Sequence, residues 1–586
     1  MLRKRLTVEG ASTTVEQRPS EMKPRLHSEN QARAFGILRW TLLVLLVLLI
    51  LLSARVNAGT PGDDLTACTN VLRIAIEMDE VEMRSLRAPR GESERPRGRA
   101  TLTEGGRRYT NVSVQLKGFT TYRSIDDRPS LTLKFDRKAG GQTFHGLTKI
   151  SLNNSLQDPT RLNELVSREL FEAAGVPVPR ASHALVKLNE RELGLYVLTE
   201  GYDEIFLARY FSRTGGTLYE GGTLQDIDSS PRLSSGRAQV DDSALAQLLA
   251  ATREPDPEKR FRALSQILDM ERFLSMTAME TILCHSDSYS MNRNNYRFYR
   301  DPATGRFVFM PHGMDRVLGT HRSGLDLSIV PPQLGMVTRA VLSTTPGRAQ
   351  YLDRLGTLLT NVFRPAHVCA RIGQVDGLIA PEKVKKRGIV RSRAAGNQVT
   401  GQDADDLCQR VEERFADLVL QFASLRSYLQ RPRFPVFDSH HVQPLHEWVL
   451  RPSLDQHGSE LRCERKDGRT LLRVTSTNGP VTASLRNRLT LPTGRYRLAG
   501  EIIADAPEGT TVSLALNRWS GGRFQLRKTN LNRQSIDTTV GVAESSAPEE
   551  VELVCDIQSK AREFLLDISS LRLIEDRAFG PAGSSP

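Results

Sequence analysis

The residues whose types and spacing could do chemistry lie between Cys284 and Leu318. Asp287 is followed five residues later by the amide Asn292, then by Asn294 and Asn295. Apolar-alternating runs at 295–300 and 306–310 flank the turn Asp301-Pro302-Ala303-Thr304-Gly305, a pattern that predicts a hairpin. A second acid, Asp315, closes the stretch. An acid, an amide five residues on, a short hairpin and another acid make the lower half of a kinase-type nucleotide site. There the first acid orients a hydroxyl nucleophile, while the amide and the second acid hold Mg²⁺ against phosphates. An Asx-rich loop capping a hairpin would account for any single Asn. It accounts less well for the ordered set.

The same stretch resembles the central motif of the CotH family, the spore-coat-protein-H type of atypical protein kinase. The residues that carry the resemblance are Asp287-Ser288-Tyr289, Asn294-Asn295-Tyr296, Tyr299-Arg300-Asp301 and Pro311-His312-Gly313-Met314-Asp315. The family carries there an Asp-x-Tyr, an Asn-Asn-Tyr, a Tyr-x-Asp strand end and a proline-led segment ending in Asp. Members often have two acids after the proline; here Gly313 replaces the first, so metal binding falls on Asp315. The resemblance implies that Asp287 accepts or orients the hydroxyl proton and that Asn292, Asn295 and Asp315 lie on the metal side. It extends to a Lys-bearing strand after a Gly-containing segment, which makes Lys134 the residue that holds phosphate. It also covers Gly194–Glu200, so Glu200 and Tyr202 are expected at a hinge beside the adenine.

Several elements must position these groups. Val112, Val114 and Leu116 alternate before Gly118, as do Leu131, Leu133 and Phe135, so period two puts Lys134 on the face opposite the apolar side chains. Asp158-Pro159 is a helix start, and Leu162, Leu165, Val166 and Leu170 form one stripe ending at Gly175. Glu164 lies beside that stripe and is expected to reach Lys134, with Glu169 and Glu172 as alternatives. Ser182–Leu188 and Leu193–Thr199 predict a hairpin. Asp226, Asp228, Asp241 and Asp242 lack the ligand order of a calcium loop and read as solvated acids. Helical periodicity fills 243–283, with Asp269 as a cap, and most of 320–430. A basic run from Lys383 to Arg393 interrupts the latter and reads as a solvated loop or, alternatively, as a grip for an acidic substrate or anionic polymer.

The chain of 586 residues is long enough for several domains. Its net charge of +12 is dispersed and accompanied by no zinc-finger, homeodomain or RRM signature, so no nucleic-acid partner is expected. Neither H-E-x-x-H nor G-x-S-x-G occurs, which argues against those protease classes. The six cysteines include no C-x-x-C; Cys369 with Cys408 and Cys463 with Cys555 are possible disulfide pairs. The apolar block Trp40–Ser53 is shorter than the roughly 20 residues of a spanning helix and ends near Val56-Asn57-Ala58, so it reads as a secretory signal or else an N-terminal membrane anchor. Either places the following residues outside the cytoplasm.

After Arg431-Pro432-Arg433-Phe434-Pro435 the pattern becomes short strands, with a hairpin turn at Lys466-Asp467-Gly468-Arg469. The expected fold is α+β: a protein-kinase-like two-lobed domain followed by an all-β sandwich of jelly-roll type. The expected divisions are leader 1–58, CotH-like domain 70–430, linker 431–445, sandwich 446–576 and flexible tail 577–586. Trp448 and Trp519 are core residues or, alternatively, sugar-stacking ones. The resemblance implies an exported kinase that uses ATP and Mg²⁺ on Ser/Thr of secreted or surface proteins. The alternative is an inactive kinase-fold scaffold that adheres through its sandwich.

Overall fold

The computed structural model describes residues 60–576, apart from 67–69, 88–94, 136–139, 236–241, 320–323, 326, 331–332, 385–403, 430–436, 446–447, 452–458, 477–480, 493, 506–509, 519–522, 530–532 and 543–548. Seven strands come first: β1 Leu72–Glu77, β2 Arg97–Glu104, β3 Arg107–Lys117, β4 Ser130–Lys134, β5 Lys149–Asn153, β6 Ala181–Leu188 and β7 Arg191–Glu200. They close into a barrel in the order β1-β2-β3-β4-β5-β7-β6, with β1 parallel to β6. Closure removes the exposed edges an open sheet would leave. Val112, Val114, Leu131, Leu133, Ile150 and Leu152 fill the interior. Period two therefore turns Lys117, Lys134, Lys149 and Asn153 outward.

The helix expected to begin at Pro159 begins instead at Asn163 and runs to Ala173. Asp158 still serves its N-terminus, because its Oδ2 accepts the Asn163 N–H at 3.0 Å. The residues between form a turn that passes through Arg161 at φ 61°. A second sheet follows, with β8 Leu218–Glu220, β9 Arg232–Ser235, β10 Tyr296–Arg300 and β11 Phe307–Pro311 in the order β11-β10-β8-β9. Its aromatic face, where Tyr219 and Phe298 stack at 4.6 Å, joins a core shared with the helices Asn163–Ala173, Met270–Ile282 and Thr345–Asn361. The fold is thus mixed α+β. No described helix is long and apolar enough to cross a membrane, and the block Trp40–Ser53 lies outside the described residues.

The C-terminal part is all-β. One seven-stranded sheet runs Val442–Pro444, Arg572–Asp576, Gly494–Asp505, Glu563–Asp567, Arg469–Ser476, Ser459–Lys466, with Arg533–Val542 also on Gly494–Asp505. A five-stranded sheet contains Val449–Arg451, Val481–Leu491, Glu549–Ser559, Thr511–Arg518 and Arg523–Thr529. Leu472, Tyr496 and Leu573 of the first share one core with Leu485, Leu514 and Ile557 of the second, the arrangement of a sandwich. The Val442–Pro444 strand belongs to this sheet, so the β part begins inside the stretch expected to be linker.

Trp448 is 8% exposed and donates its indole N–H to Leu445 O at 3.0 Å, so it is a core residue; Trp519 lies outside the described residues. Cys369, Cys408 and Cys555 are free thiols. Cys463 and Cys555 fall in different sheets. Lys383 pairs with Asp376 at 2.7 Å, and the rest of the basic run lies outside the described residues.

Candidate active site

The helix Met270–Ile282 delivers the acid loop. Asp269 caps it by accepting the Arg272 N–H at 3.1 Å, and Cys284 at φ 51° turns the chain out of it. Asp287 follows. Its Oδ1 accepts from Asn292 Nδ2 at 2.5 Å and Asn294 Nδ2 at 3.1 Å, and its Oδ2 accepts from Asn295 Nδ2 at 3.0 Å. The three amides thus fix one carboxylate. Arg293 at φ 53° and Asn295 at φ 50° make the tight bend that allows this, and Asn is among the residues that tolerate that region.

The loop is anchored from below by two buried acids. Tyr289 donates its hydroxyl to Asp226 Oδ1 at 3.0 Å and accepts the Val337 N–H at 3.0 Å, while Asp226 Oδ2 accepts the Met336 N–H at 2.7 Å. Asp226 is therefore a buried staple rather than a solvated acid, because three donors reward its desolvation: Tyr289, Met336 and Ile227. Glu280 Oε2 accepts the Ser290 N–H at 3.2 Å; its Oε1 is buried without a partner among the described residues. Burial pushes the Glu280 carboxyl up to about 7.

The barrel contributes a second group of charges. Glu164 pairs with Arg168 at 2.7 Å and accepts from Asn153 Nδ2 at 2.7 Å. Burial opposes its charge, but Arg168 and Lys117 outweigh burial and hold it below the usual carboxylate range. The lysine beside it is Lys117, which donates to Asn153 Oδ1 at 2.7 Å. Burial brings the Lys117 ammonium down to about 8, with Glu164 and Asp315 acting against that. Lys134 was expected here. It pairs with Ser113, whereas Lys117 pairs with Ser130, so the two lysines lie at opposite ends of the β3–β4 ladder, and β4 carries Lys134 away from Glu164. Asp315 is half-buried; its desolvation first, and then the Glu164 carboxylate, raise it to about 7. Asn163 Nδ2 donates to Asp315 O at 3.0 Å and so ties the helix of Glu164 to the segment of Asp315.

The remaining expected contacts differ in use. Glu200 lies between Arg180 at 2.6 Å and Arg209 at 2.7 Å, and its Oε2 also accepts the Arg180 N–H, so both oxygens are spent inside the protein rather than offered to a base. Tyr202 donates its hydroxyl to Pro311 O and meets the His312 ring edge-on at 5.6 Å, which makes it a prop for the Asp315 segment.

The two acid groups meet at Gly313. His312 N–H donates to Asn295 O at 2.8 Å, and His285 Nε2 donates to Gly313 O at 3.1 Å. Gly313 has φ 58°, and a Cβ there would lie 2.4 Å from Asn295 Oδ1. The position expected to hold a further acid is thus filled by the Asn295 amide. No group of three His, Cys, Asp or Glu that could hold a metal occurs among the described residues. Asp315 is one carboxylate, and Asn292 spends its Nδ2 on Asp287, leaving an amide oxygen. Such a sparse oxygen set fits Mg²⁺, which takes one or two carboxylates and completes its shell with phosphate and water.

Lys117, Asn153, Asn163, Arg168 and Glu280 were not singled out from sequence, and Asp226 was singled out only as a solvated acid. The alternation of Val112, Val114 and Leu116 before Gly118 marked the strand of Lys117 but not its role.

A family model described as CotH kinase protein matches residues 114–416, just over half of the chain. Inner spore coat protein H of Bacillus subtilis (strain 168) is 23% identical over 297 residues, covering 47% of this chain and 78% of that protein. Among solved structures, the Helicobacter pylori proinflammatory kinase CtkA is 10% identical at a TM-score of 0.25, over 52% of this chain and 95% of that one. A family 22 carbohydrate-binding module of Clostridium thermocellum is 12% identical at a TM-score of 0.18, over 24% of this chain and 99% of the module. Those TM-scores are too low to carry an argument. The family match, on a chain whose Asp287, Asn295 and Asp315 segments converge as described, places this protein in the CotH family.

Proposed function

We propose that this protein is an exported phosphotransferase that uses ATP and Mg²⁺ to modify Ser/Thr hydroxyls of secreted or surface proteins. Its kinase-like unit, at about 70–430, would have the barrel as one lobe and the helices with β8–β11 as the other. The observation that carries this reading is the convergence at Gly313: Asn295, which holds Asp287, packs on Gly313, two residues before Asp315. Asp287, oriented by three amides, retains one lone pair, on Oδ2, that can accept a substrate hydroxyl. Lys117, held by Asn153 and near Glu164, takes the phosphate-holding role first expected of Lys134. Asp315 with Asn292, and Asn295 less directly, would hold Mg²⁺, whose chemistry is to neutralise charge on the transferring phosphoryl group.

Incubation with α- and γ-labelled ATP tests the reading. Label is expected to pass to protein from the γ position only, and Asp287→Ala is expected to slow transfer by about a hundredfold or more. Transfer by Asp287→Ala at the wild-type rate sinks the assignment. A second reading, an inactive scaffold that adheres through its sandwich, is favoured by Gly313, by the lack of a G-x-G-x-x-G phosphate loop in the sequence and by the appended sandwich. Mg²⁺-dependent thermal stabilisation by ATP without any label transfer would support it.

A further inference from the structure

Cys369 and Cys408 stand on two long helices, Pro365–Val384 and Ala404–Leu429. Each thiol reaches the backbone of the other residue: Cys369 Sγ donates to Cys408 O at 3.7 Å, and Cys408 Sγ donates to Cys369 O at 3.8 Å. That reciprocal contact sets the two side chains beside one another, as a bond between facing elements requires. Both are half-buried and pack against the core to which Val368, Ile372, Leu407 and Val411 belong. Packing therefore fixes them, while a small oxidant can still reach them. Burial, then the Cys408 thiol and Glu412, push the Cys369 thiol up to about 12, and burial also raises Cys408. Thiols held so high make poor leaving groups, so a bond between them, once closed, resists reopening.

The two helices grip opposite sides of the candidate site. Arg371, two residues past Cys369, pairs at 2.7 Å with Glu169 on the helix that carries Glu164. Arg410, two residues past Cys408, donates to Leu318 O at 3.3 Å, three residues beyond Asp315. One turn further on, buried Arg414 donates to Thr281 O at 2.7 Å, Ile282 O at 3.1 Å and Leu327 O at 2.7 Å. A covalent tie between the helices would hold these grips together.

We propose that Cys369 and Cys408 form a disulfide that staples the two helices, closed by a small-molecule disulfide such as oxidised glutathione. One thiolate attacks a sulfur of the oxidant and expels one glutathione thiolate, leaving a mixed disulfide. The second thiolate attacks the cysteine sulfur of that bond and expels the other glutathione. The pair gives up two electrons and two protons, and the oxidant becomes two thiols. The cysteines lie 39 positions apart, and the chain between them contains the basic run Lys383–Arg393. Closing that loop restricts the unfolded chain and so stabilises the folded one. The export reading supplies an oxidising compartment, but the bond itself is testable without it.

The full chain is reduced, freed of reductant, incubated with oxidised glutathione at mildly alkaline pH, alkylated, digested and mapped by mass spectrometry. A linked Cys369–Cys408 peptide pair is expected, with both positions closed to the alkylating agent. The oxidised protein is expected to melt about 4 °C or more above its reduced form. Cys369→Ala and Cys408→Ala, each compared with its own reduced form, are expected to lose that gain. The proposal is overturned if the linked pair is absent, if glutathione stays attached at either cysteine, if oxidation does not raise the wild-type melting temperature, or if the alanine variants gain as much. The wild-type peptide map decides the bond whether or not the variants fold. A closed bond in a protein that transfers no label from ATP would sink the phosphotransferase reading and leave the staple standing.

Discussion

Gly313 shows how one residue sets the geometry of the site. Its φ of 58° and the 2.4 Å approach of Asn295 Oδ1 to any Cβ leave room for hydrogen only. Gly313→Ala is therefore expected to lose roughly 1–3 kcal/mol of stability by urea unfolding, through backbone strain and a displaced Asn295. An unchanged urea midpoint would show that Asn295 can move freely. The same scale explains which residues were readable. Asp287, Asn292, Asn295 and Asp315 are crowded into one stretch of chain, so their order was visible without a fold. Lys117 and Lys134 were not separable, because each ends an alternating strand on the outward face. Only the β3–β4 register shows which end approaches Glu164. Asp226 was misread because a polar loop composition says nothing about donors arriving from Tyr289 and Met336, far along the chain.

At the scale of elements, the helix Met270–Ile282 and the loop after it form one unit, joined by Glu280. The folded-state value of about 7 lies above the usual 4.5 for this carboxyl. The folded chain thus holds the Glu280 proton more tightly than the unfolded chain does. That stabilisation is complete below the unfolded value and is lost as pH rises through about 7. Asp315, also raised to about 7, acts with the same sign. Wild type is expected to lose stability steadily from about pH 5 to 8, and Glu280→Gln to lose less, with the remaining slope due to Asp315. The difference above neutrality is at most on the order of a few kcal/mol. Urea midpoints across that range decide it; identical slopes for both proteins would mean that Glu280 titrates normally. Elements were readable where capping and period agreed, as at Asp269 and in the β10–β11 hairpin. They were misplaced where a distant acceptor replaced a cap, as when Asp158 serves Asn163.

For the whole molecule, separate cores decide where the chain can be cut. The sandwich core holds Leu445, Leu472, Tyr496, Leu514 and Ile557, whereas the barrel and the helices keep cores of their own. Alternation and the Lys466–Arg469 turn made the sandwich strands visible in the sequence. Which sheet each strand joins was not visible, because alternation marks a face and not a neighbour. Hence alternation alone does not reveal that Cys463 and Cys555 belong to different sheets, nor that the first strand lies within the expected linker. That strand matters: Val442 and Pro444 pair with Ile574 and Arg572, Leu445 is 1% exposed, and Phe437 stacks on Tyr496 at 6.1 Å. A fragment of residues 437–576 is expected to fold alone and melt cooperatively. A fragment of 446–576 loses one strand and two apolar contacts, and is expected to melt lower by more than about 5 °C. Circular dichroism melts of the two fragments compare them directly. Equal melting temperatures would show that the segment before Trp448 contributes nothing to the sandwich, and would return it to the role of linker.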